Sequence, residues 1–234
     1  FKFLRLCSLI FLFCSFLPAV LAQNTKEIQF LSGTDNNNTV DWDFWISGGR
    51  KAGVFSKIAV PSHWEQQGFG NYNYGRDYVT YGKNFQFNDE HALYKHSFEV
   101  PKKWKGKKIS IVFEGSMTDT EVKINGQLAG PIHQGSFYRF SYDITDKVNY
   151  GQHNSLEVVV SKMSKDRTVN NAERLADYWI FGGIYRPVYL EATPKQYISW
   201  AAIDAKADGS FATNIYLDGI DRKSNVKVNI KDKN

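Results

Sequence analysis

The sequence predicts an all-β protein, and three observations carry the prediction. No long stretch repeats its apolar residues with the 3.6-residue period of an amphipathic helix. Short runs of β-branched and aromatic residues recur instead, separated by Gly, Asn, Asp and Pro, the pattern of a sandwich or barrel. Ile109-Ser110-Ile111-Val112-Phe113 and Glu121-Val122-Lys123-Ile124 also alternate in polarity, as strands with one buried face do.

In chain order, residues 1–22 read as a secretory signal peptide rather than as part of the fold. Lys2 and Arg5 form a basic start, Leu6 to Leu17 is almost wholly apolar, Pro18 breaks the run, and Ala19-Val20-Leu21-Ala22 offers the compact residues of a cleavage site. The apolar run of about 12 residues is short of the ~20 that span a bilayer, which weighs against the alternative of a membrane anchor. Lipidation at Cys14 is disfavoured by the bulky Phe13 before it. Candidate strands follow at Val54–Val60, Ala92–Val100, Lys108–Glu114, Glu121–Ile124, Phe137–Asp143, Leu156–Val160 and Tyr185–Glu191. The Asn125-Gly126 pair closes a hairpin, because both residues tolerate positive φ. Asp143-Ile144-Thr145-Asp146 and Asn149-Tyr150-Gly151 read as turns before the next strand. After Pro194 the pattern restarts with Tyr197–Ala205, the turn Asp208-Gly209, Phe211–Leu217 and Val226–Ile230, which read as the first strands of a second sandwich. The expected division is a signal at 1–22, one sandwich at 23–195 and part of another at 196–234. A start at Phe1 and a stop in a polar run suggest a piece of a longer protein.

Two long loops remain. Ser62–Glu90 carries Trp64, Phe69, Tyr72, Tyr74, Tyr78, Tyr81, Phe85 and Phe87, and Ser161–Gly183 carries Asp177, Tyr178 and Trp179 before Gly182-Gly183. Loops of this length inside a compact domain are uncommon and usually functional or disordered, and the aromatic content argues against disorder.

Composition excludes several classes of function. Both cysteines, Cys7 and Cys14, lie inside the signal, so an exported mature chain has no disulfide. The formal charge of +5 falls to +3 without Lys2 and Arg5, and the densest basic cluster, Lys102 to Lys108, fits a solvated turn better than a nucleic-acid surface. The five histidines show no metal-ligand spacing, and neither a Gly-x-Ser-x-Gly elbow nor a phosphate-binding loop occurs. Of the carboxylate pairs Asp41/Asp43, Asp89/Glu90, Asp119/Glu121 and Glu173/Asp177, none is specific for glycosidic hydrolysis, and Asp119 and Glu121 read as the solvent face of a strand. Carbohydrate binding is better supported. Sugars present C–H faces to aromatic rings and paired hydroxyls to carboxylates and amides, which both loops supply. The alternative for most of these rings is sandwich core.

Several segments, in order, resemble the N-terminal sugar-binding domain of family 2 glycoside hydrolases, the β-galactosidases, β-glucuronidases and β-mannosidases. They are Val60-Pro61-Ser62-His63-Trp64, Tyr94 to Pro101, Phe113-Glu114-Gly115 with Glu121 to Gly126, Phe140 to Thr145, Asn154 to Val158, and Asp177 to Val188. Together they span about residues 54–193, and Lys195–Asn234 resembles the start of the immunoglobulin-like domain that follows in this family. The resemblance implies a jelly-roll, galactose-binding-like β-sandwich followed by the beginning of an immunoglobulin-like one.

It also implies site residues. Asp177 matches the family's acidic residue that reaches the barrel's active site and binds hydroxyls of the terminal sugar, with a sodium ion beside it in some β-galactosidases. The structural alternative is an Asp that caps the loop before Gly182-Gly183. Trp179 belongs to the same motif. Tyr78 stands where the family has an Asn, in Tyr78-Val79-Thr80-Tyr81-Gly82, with Gly82 for its Pro, a departure from the β-galactosidase pattern. Arg186 is expected to be buried and paired with a carboxylate. The expected substrate-binding set is therefore Asp177, Tyr78 and Trp179, with no cofactor beyond that sodium ion. The family's catalytic pair is two glutamates on a (β/α)8 barrel, the first in an Asn-Glu dipeptide; none occurs here, and a barrel needs roughly 250 residues. No catalytic residue is named within this chain. The implied whole is an exported retaining exo-β-glycosidase, β-galactosidase-like, periplasmic or extracellular in a bacterium. It acts on a β-linked glycan, binds no nucleic acid, sits on no membrane after signal cleavage, and as a full-length enzyme forms a homo-oligomer. The alternative is a non-catalytic carbohydrate-binding sandwich that uses Trp64 or Tyr74.

Overall fold

The computed structural model describes residues 26–82 and 84–231, so the signal segment with Cys7 and Cys14 lies outside the described residues. In chain order the elements are β1 (Glu27–Phe30), β2 (Val40–Ile46), β3 (Ser56–Val60), β4 (Asn73–Tyr74), α1 (Asp77–Tyr81), β5 (His91–Glu99), β6 (Lys108–Phe113) and β7 (Asp119–Ile124). They continue with β8 (Gln127–Leu128), β9 (Phe140–Asp143), β10 (His153–Ser161), α2 (Arg167–Glu173), β11 (Trp179–Ile180), β12 (Val188–Thr193), β13 (Tyr197–Ala205) and β14 (Phe211–Asp218).

Two antiparallel sheets form the sandwich, one ordered β1-β12-β6-β9 and the other β3-β2-β5-β10-β7-β8. The all-β sandwich expected from the sequence is present. Its core follows from the period of two. Trp42, Phe44 and Ile46 point inward from β2, Leu156, Val158 and Val160 from β10, and Ile109, Ile111 and Phe113 from β6, all at most 1% exposed. Each such aliphatic or aromatic side chain contributes roughly 1.5–3 kcal/mol by leaving water. Asn125 and Gly126 take φ of 50° and 78°, and Ile124 pairs with Gln127, so the two-residue hairpin turn forms as predicted.

Boundaries shift where local chemistry forbids pairing. The expected strand at Tyr185–Glu191 begins only at Val188, after Pro187, which has no N–H to give to a ladder. The expected strand from Phe137 starts at Phe140, and that from Val54 starts at Ser56, leaving Val54 and Phe55 exposed. β1 and β2 were not anticipated, although Val40-Asp41-Trp42-Asp43-Phe44 alternates as a strand should. β13 and β14 form an antiparallel hairpin turned at Gly209, whose φ is +86°. Val226–Ile230 forms no strand, having no partner among the described residues against which to pair. No described helix is long and apolar enough to cross a membrane.

Candidate functional site

The two long loops meet at one end of the larger sheet. Register places Ser161 opposite both His91 and Asp119, so β10 ends where β5 and β7 begin. Glu90, Thr118 and Lys162 each stand one residue beyond that line. The loops regain order by pairing with each other: Trp179 lies opposite Tyr74 and Ile180 opposite Asn73 in the β4–β11 ribbon, and Gly75 N donates to Tyr178 O at 2.8 Å. A Cβ on Gly75 would sit 2.2 Å from Ala176 O, so only glycine permits this approach.

Beneath the ribbon is a buried polar layer. The Lys162 side chain is 0% exposed, and its Nζ donates to Glu65 Oε1 at 2.7 Å, to Glu90 Oε2 at 3.3 Å and to Asn71 O at 2.5 Å. Glu65 accepts in turn from Gly182 N at 3.1 and 3.2 Å, and Glu90 Oε1 from Asn71 N at 2.8 Å. Arg174, 1% exposed, donates from Nε to Thr118 Oγ1 at 3.0 Å and from Nη1 to Phe181 O at 3.2 Å. Burial raises the Glu65 carboxyl above its usual range against the pull of Lys162, and lowers the Arg174 guanidinium to about 10, which leaves it cationic at neutral pH. His63 is stacked between Phe181 and Tyr185, with centroids at 4.8 and 5.1 Å. Burial and the Arg174 charge hold its pKa down at about 4, so it is neutral at pH 7.

Above this layer the surface is aromatic and acidic. Trp179 (53% exposed) meets Tyr74 edge-on at 5.4 Å and Tyr72 (47% exposed) at 5.8 Å, and the Arg50 guanidinium lies 5.1 Å from the Tyr72 ring. Asp177 is exposed two residues before Trp179, and among the described residues its carboxylate has no hydrogen bond or ion pair. Among the described residues Asp177 therefore caps no backbone N–H; a carboxylate does so in the first loop, where Asp77 Oδ2 accepts from Tyr74 N at 3.0 Å. Tyr78 lies on α1, on the chain leaving the ribbon, and joins no aromatic pair among the described residues. The structure thus places Trp179 on the ribbon with Asp177 in the bend that leads into it, and sets Tyr78 apart from the ring cluster.

The carboxylate pairs sort cleanly. Asp41 and Asp43 are on the exposed face of β2, with Asp43 paired to Lys57 at 2.6 Å. Asp119 is 5% exposed, not solvent-facing as expected, because its Oδ2 accepts from Lys165 N at 2.9 Å and Gln134 Nε2 at 3.2 Å, fastening the start of the second loop. Glu173 is buried on Ser136 N at 2.7 Å, and Glu90 is enclosed with Lys162. Glu65 and Glu90 share one cation but lie sealed beneath the ribbon, where no sugar reaches them. Arg186 also departs from expectation: it is exposed, donates to the Glu114 and Phe137 carbonyls at 3.4 and 3.5 Å, and lies over the Tyr185 ring. The buried arginine is Arg174, which no motif had marked. Among the described residues no group of three His, Cys, Asp or Glu could hold a metal ion.

Comparison with known proteins agrees with the fold. Residues 28–194 match the model of the glycosyl hydrolases family 2 sugar binding domain. A β-glucuronidase of Bacteroides fragilis is 30% identical over 206 residues, 85% of this chain and 26% of that protein. A β-galactosidase of Thermoanaerobacter pseudethanolicus is 38% identical over 100 residues, 43% of this chain and 13% of that protein. Among solved structures, a β-glucuronidase from an uncultured Clostridium superposes with a TM-score of 0.59 at 22% identity, covering 82% of this chain and 34% of that one. The β-D-glucuronidase of Dictyoglomus thermophilum gives 0.56 at 23%, covering 82% and 33%. The matched stretches are thus about a quarter or less of the two curated relatives and about a third of the two solved chains.

Proposed function

The chain belongs to glycosyl hydrolase family 2, and from that premise we propose that it forms one wall of the sugar pocket of an exported, retaining exo-β-glycosidase. The observation that carries the reading is Asp177. It is an exposed carboxylate with no partner among the described residues, in the bend that leads into the hydrogen-bonded ribbon carrying the exposed ring of Trp179. A carboxylate so placed accepts paired hydroxyls of a terminal sugar while a ring covers its C–H face. The bond is broken by two glutamates of a barrel outside these residues, one as acid/base and one as nucleophile. The substrate is a β-galactoside or a β-glucuronide, the activities that the relatives' names carry. The signal at 1–22 sends the enzyme to the periplasm or beyond, where it works as a homo-oligomer.

The test is to sequence the gene past codon 234 and to assay its full product on aryl β-galactoside and β-glucuronide. A downstream Asn-Glu dipeptide, a later second glutamate and turnover of either substrate are expected. A stop codon soon after residue 234 would sink the proposal. The second reading, a binding module without catalysis, draws on the exposure of Trp179 and Tyr72. It predicts that the 234-residue chain alone binds glycan and loses binding in Trp179→Ala. Trp64 is unsuitable as its probe, because it is 0% exposed and part of the core.

A further inference from the structure

The buried Lys162–Glu65 pair has no place in the sugar wall, yet it reaches into every segment that carries it. Lys162 begins the second loop directly after β10, Glu65 and Asn71 lie in the first loop, Glu90 ends that loop, and Gly182 closes the second. The side-chain network satisfies backbone groups that no strand ladder reaches: Asn71 O on Lys162, Asn71 N on Glu90 and Gly182 N on Glu65. Gly182 is held from its other side as well, since Trp64 N donates to Gly182 O at 3.1 Å. A Cβ at Gly182 would lie 2.0 Å from the Trp64 ring, so the backbone rests directly on the indole. From Gly182 the chain runs back three residues to Trp179 and five to Asp177.

We infer that Lys162 and Glu65 are positioning residues for the sugar, acting through Gly182 and Asn71 to set where Asp177 and Trp179 stand. The inference rests on the functional reading above for its substrate and on the hydrogen bonds alone for its geometry. An apolar trio of similar volume would fill the space with less desolvation, but it would leave the Gly182 and Asn71 amides and the Asn71 carbonyl without partners. The charges are present because two irregular loops need backbone partners at fixed points.

Three variants of the full-length enzyme test this, with amide hydrogen exchange of the 234-residue chain as a readout that needs no activity. Glu65→Gln keeps a carbonyl for Gly182 N and should retain the wild-type KM for an aryl β-glycoside. Glu65→Ala removes that acceptor while leaving Lys162 balanced by Glu90. It should raise KM about tenfold or more, with a much smaller change in kcat, and lose the protection of Gly182. Lys162→Met removes the donor to Asn71 O and the cation that Glu65 and Glu90 share, and should likewise raise KM; should it fail to fold, the Glu65→Ala and Glu65→Gln contrast still decides. A wild-type KM in folded Glu65→Ala, or full Gly182 protection in that variant, would overturn the inference. A wild-type enzyme with no glycosidase activity would sink the functional reading instead and leave hydrogen exchange as the deciding measurement.

Discussion

At the start of β10, Asn154 closes a short turn with a neutral amide, whereas just past its end Lys162 ties two long loops with a charge. Asn154 is 2% exposed, accepts from Asn149 N and Asn125 Nδ2 at 2.7 and 2.8 Å, and donates to Asn149 O and Gln152 O at 2.9 and 3.0 Å. Every group of that amide is used within a few residues of chain or one neighbouring hairpin. Lys162, by contrast, bonds across sequence separations of 72 and 91 residues. A neutral amide suffices where strand register has already brought the turn close. Long loops have no such register, and they are drawn together by groups that make strong hydrogen bonds over a longer reach.

The comparison can be broken at either end. The largest effect is expected from Lys162→Met, which leaves Glu65 and Glu90 buried without their cation. Urea unfolding should show a loss of about 3–5 kcal/mol, and a loss below 1 kcal/mol would show that water enters the loop end freely. Gly182→Ala drives a methyl into the Trp64 ring and should cost roughly 1–3 kcal/mol, measurable as a lowered unfolding midpoint. Asn154→Ala strands the Asn149 amide and should cost about 1–3 kcal/mol, with no dependence on pH between 5 and 8.

A further test sharpens the contrast through pH. His63 belongs to the charged end, and its pKa is lowered from 6.5 to about 4. The unfolded chain therefore binds the proton more readily between these values. The stability that His63 contributes is fully present above pH 6.5 and is lost as pH falls toward 4. His63→Phe should flatten the stability profile over that window, whereas Asn154→Ala should leave its slope intact. An unaltered slope in His63→Phe would assign the acid sensitivity elsewhere.

The sandwich was legible because its strands alternate, and the Asn125-Gly126 turn because two adjacent positive φ values need those residues. β2 was equally regular in pattern, with Trp42, Phe44 and Ile46 inward; the flanking aspartates drew attention to chemistry when they mark only its solvent face. Asp177 and Trp179 were singled out by a resembling motif, and their role rests on the tests proposed for them. Lys162, Glu65 and Arg174 were not, because a buried charge is recognised by what surrounds it, and its partners lie far along the chain. Asp119 was misplaced for the same reason: alternation assigns it to a face, but the second loop folds over that face and covers it. The one available signal was position, since Glu90 and Lys162 sit directly beside strand ends that open into long loops.

The central claim is that the bend leading into the ribbon presents Asp177 to a sugar, and the most direct test is Asp177→Ala in the full-length enzyme, with kcat/KM and the unfolding midpoint measured on the same sample. The account predicts a fall in kcat/KM of about a hundredfold or more with the midpoint unchanged, since the carboxylate is exposed and bonded to nothing within the described fold. An unchanged kcat/KM would contradict it and remove Asp177 from the pocket.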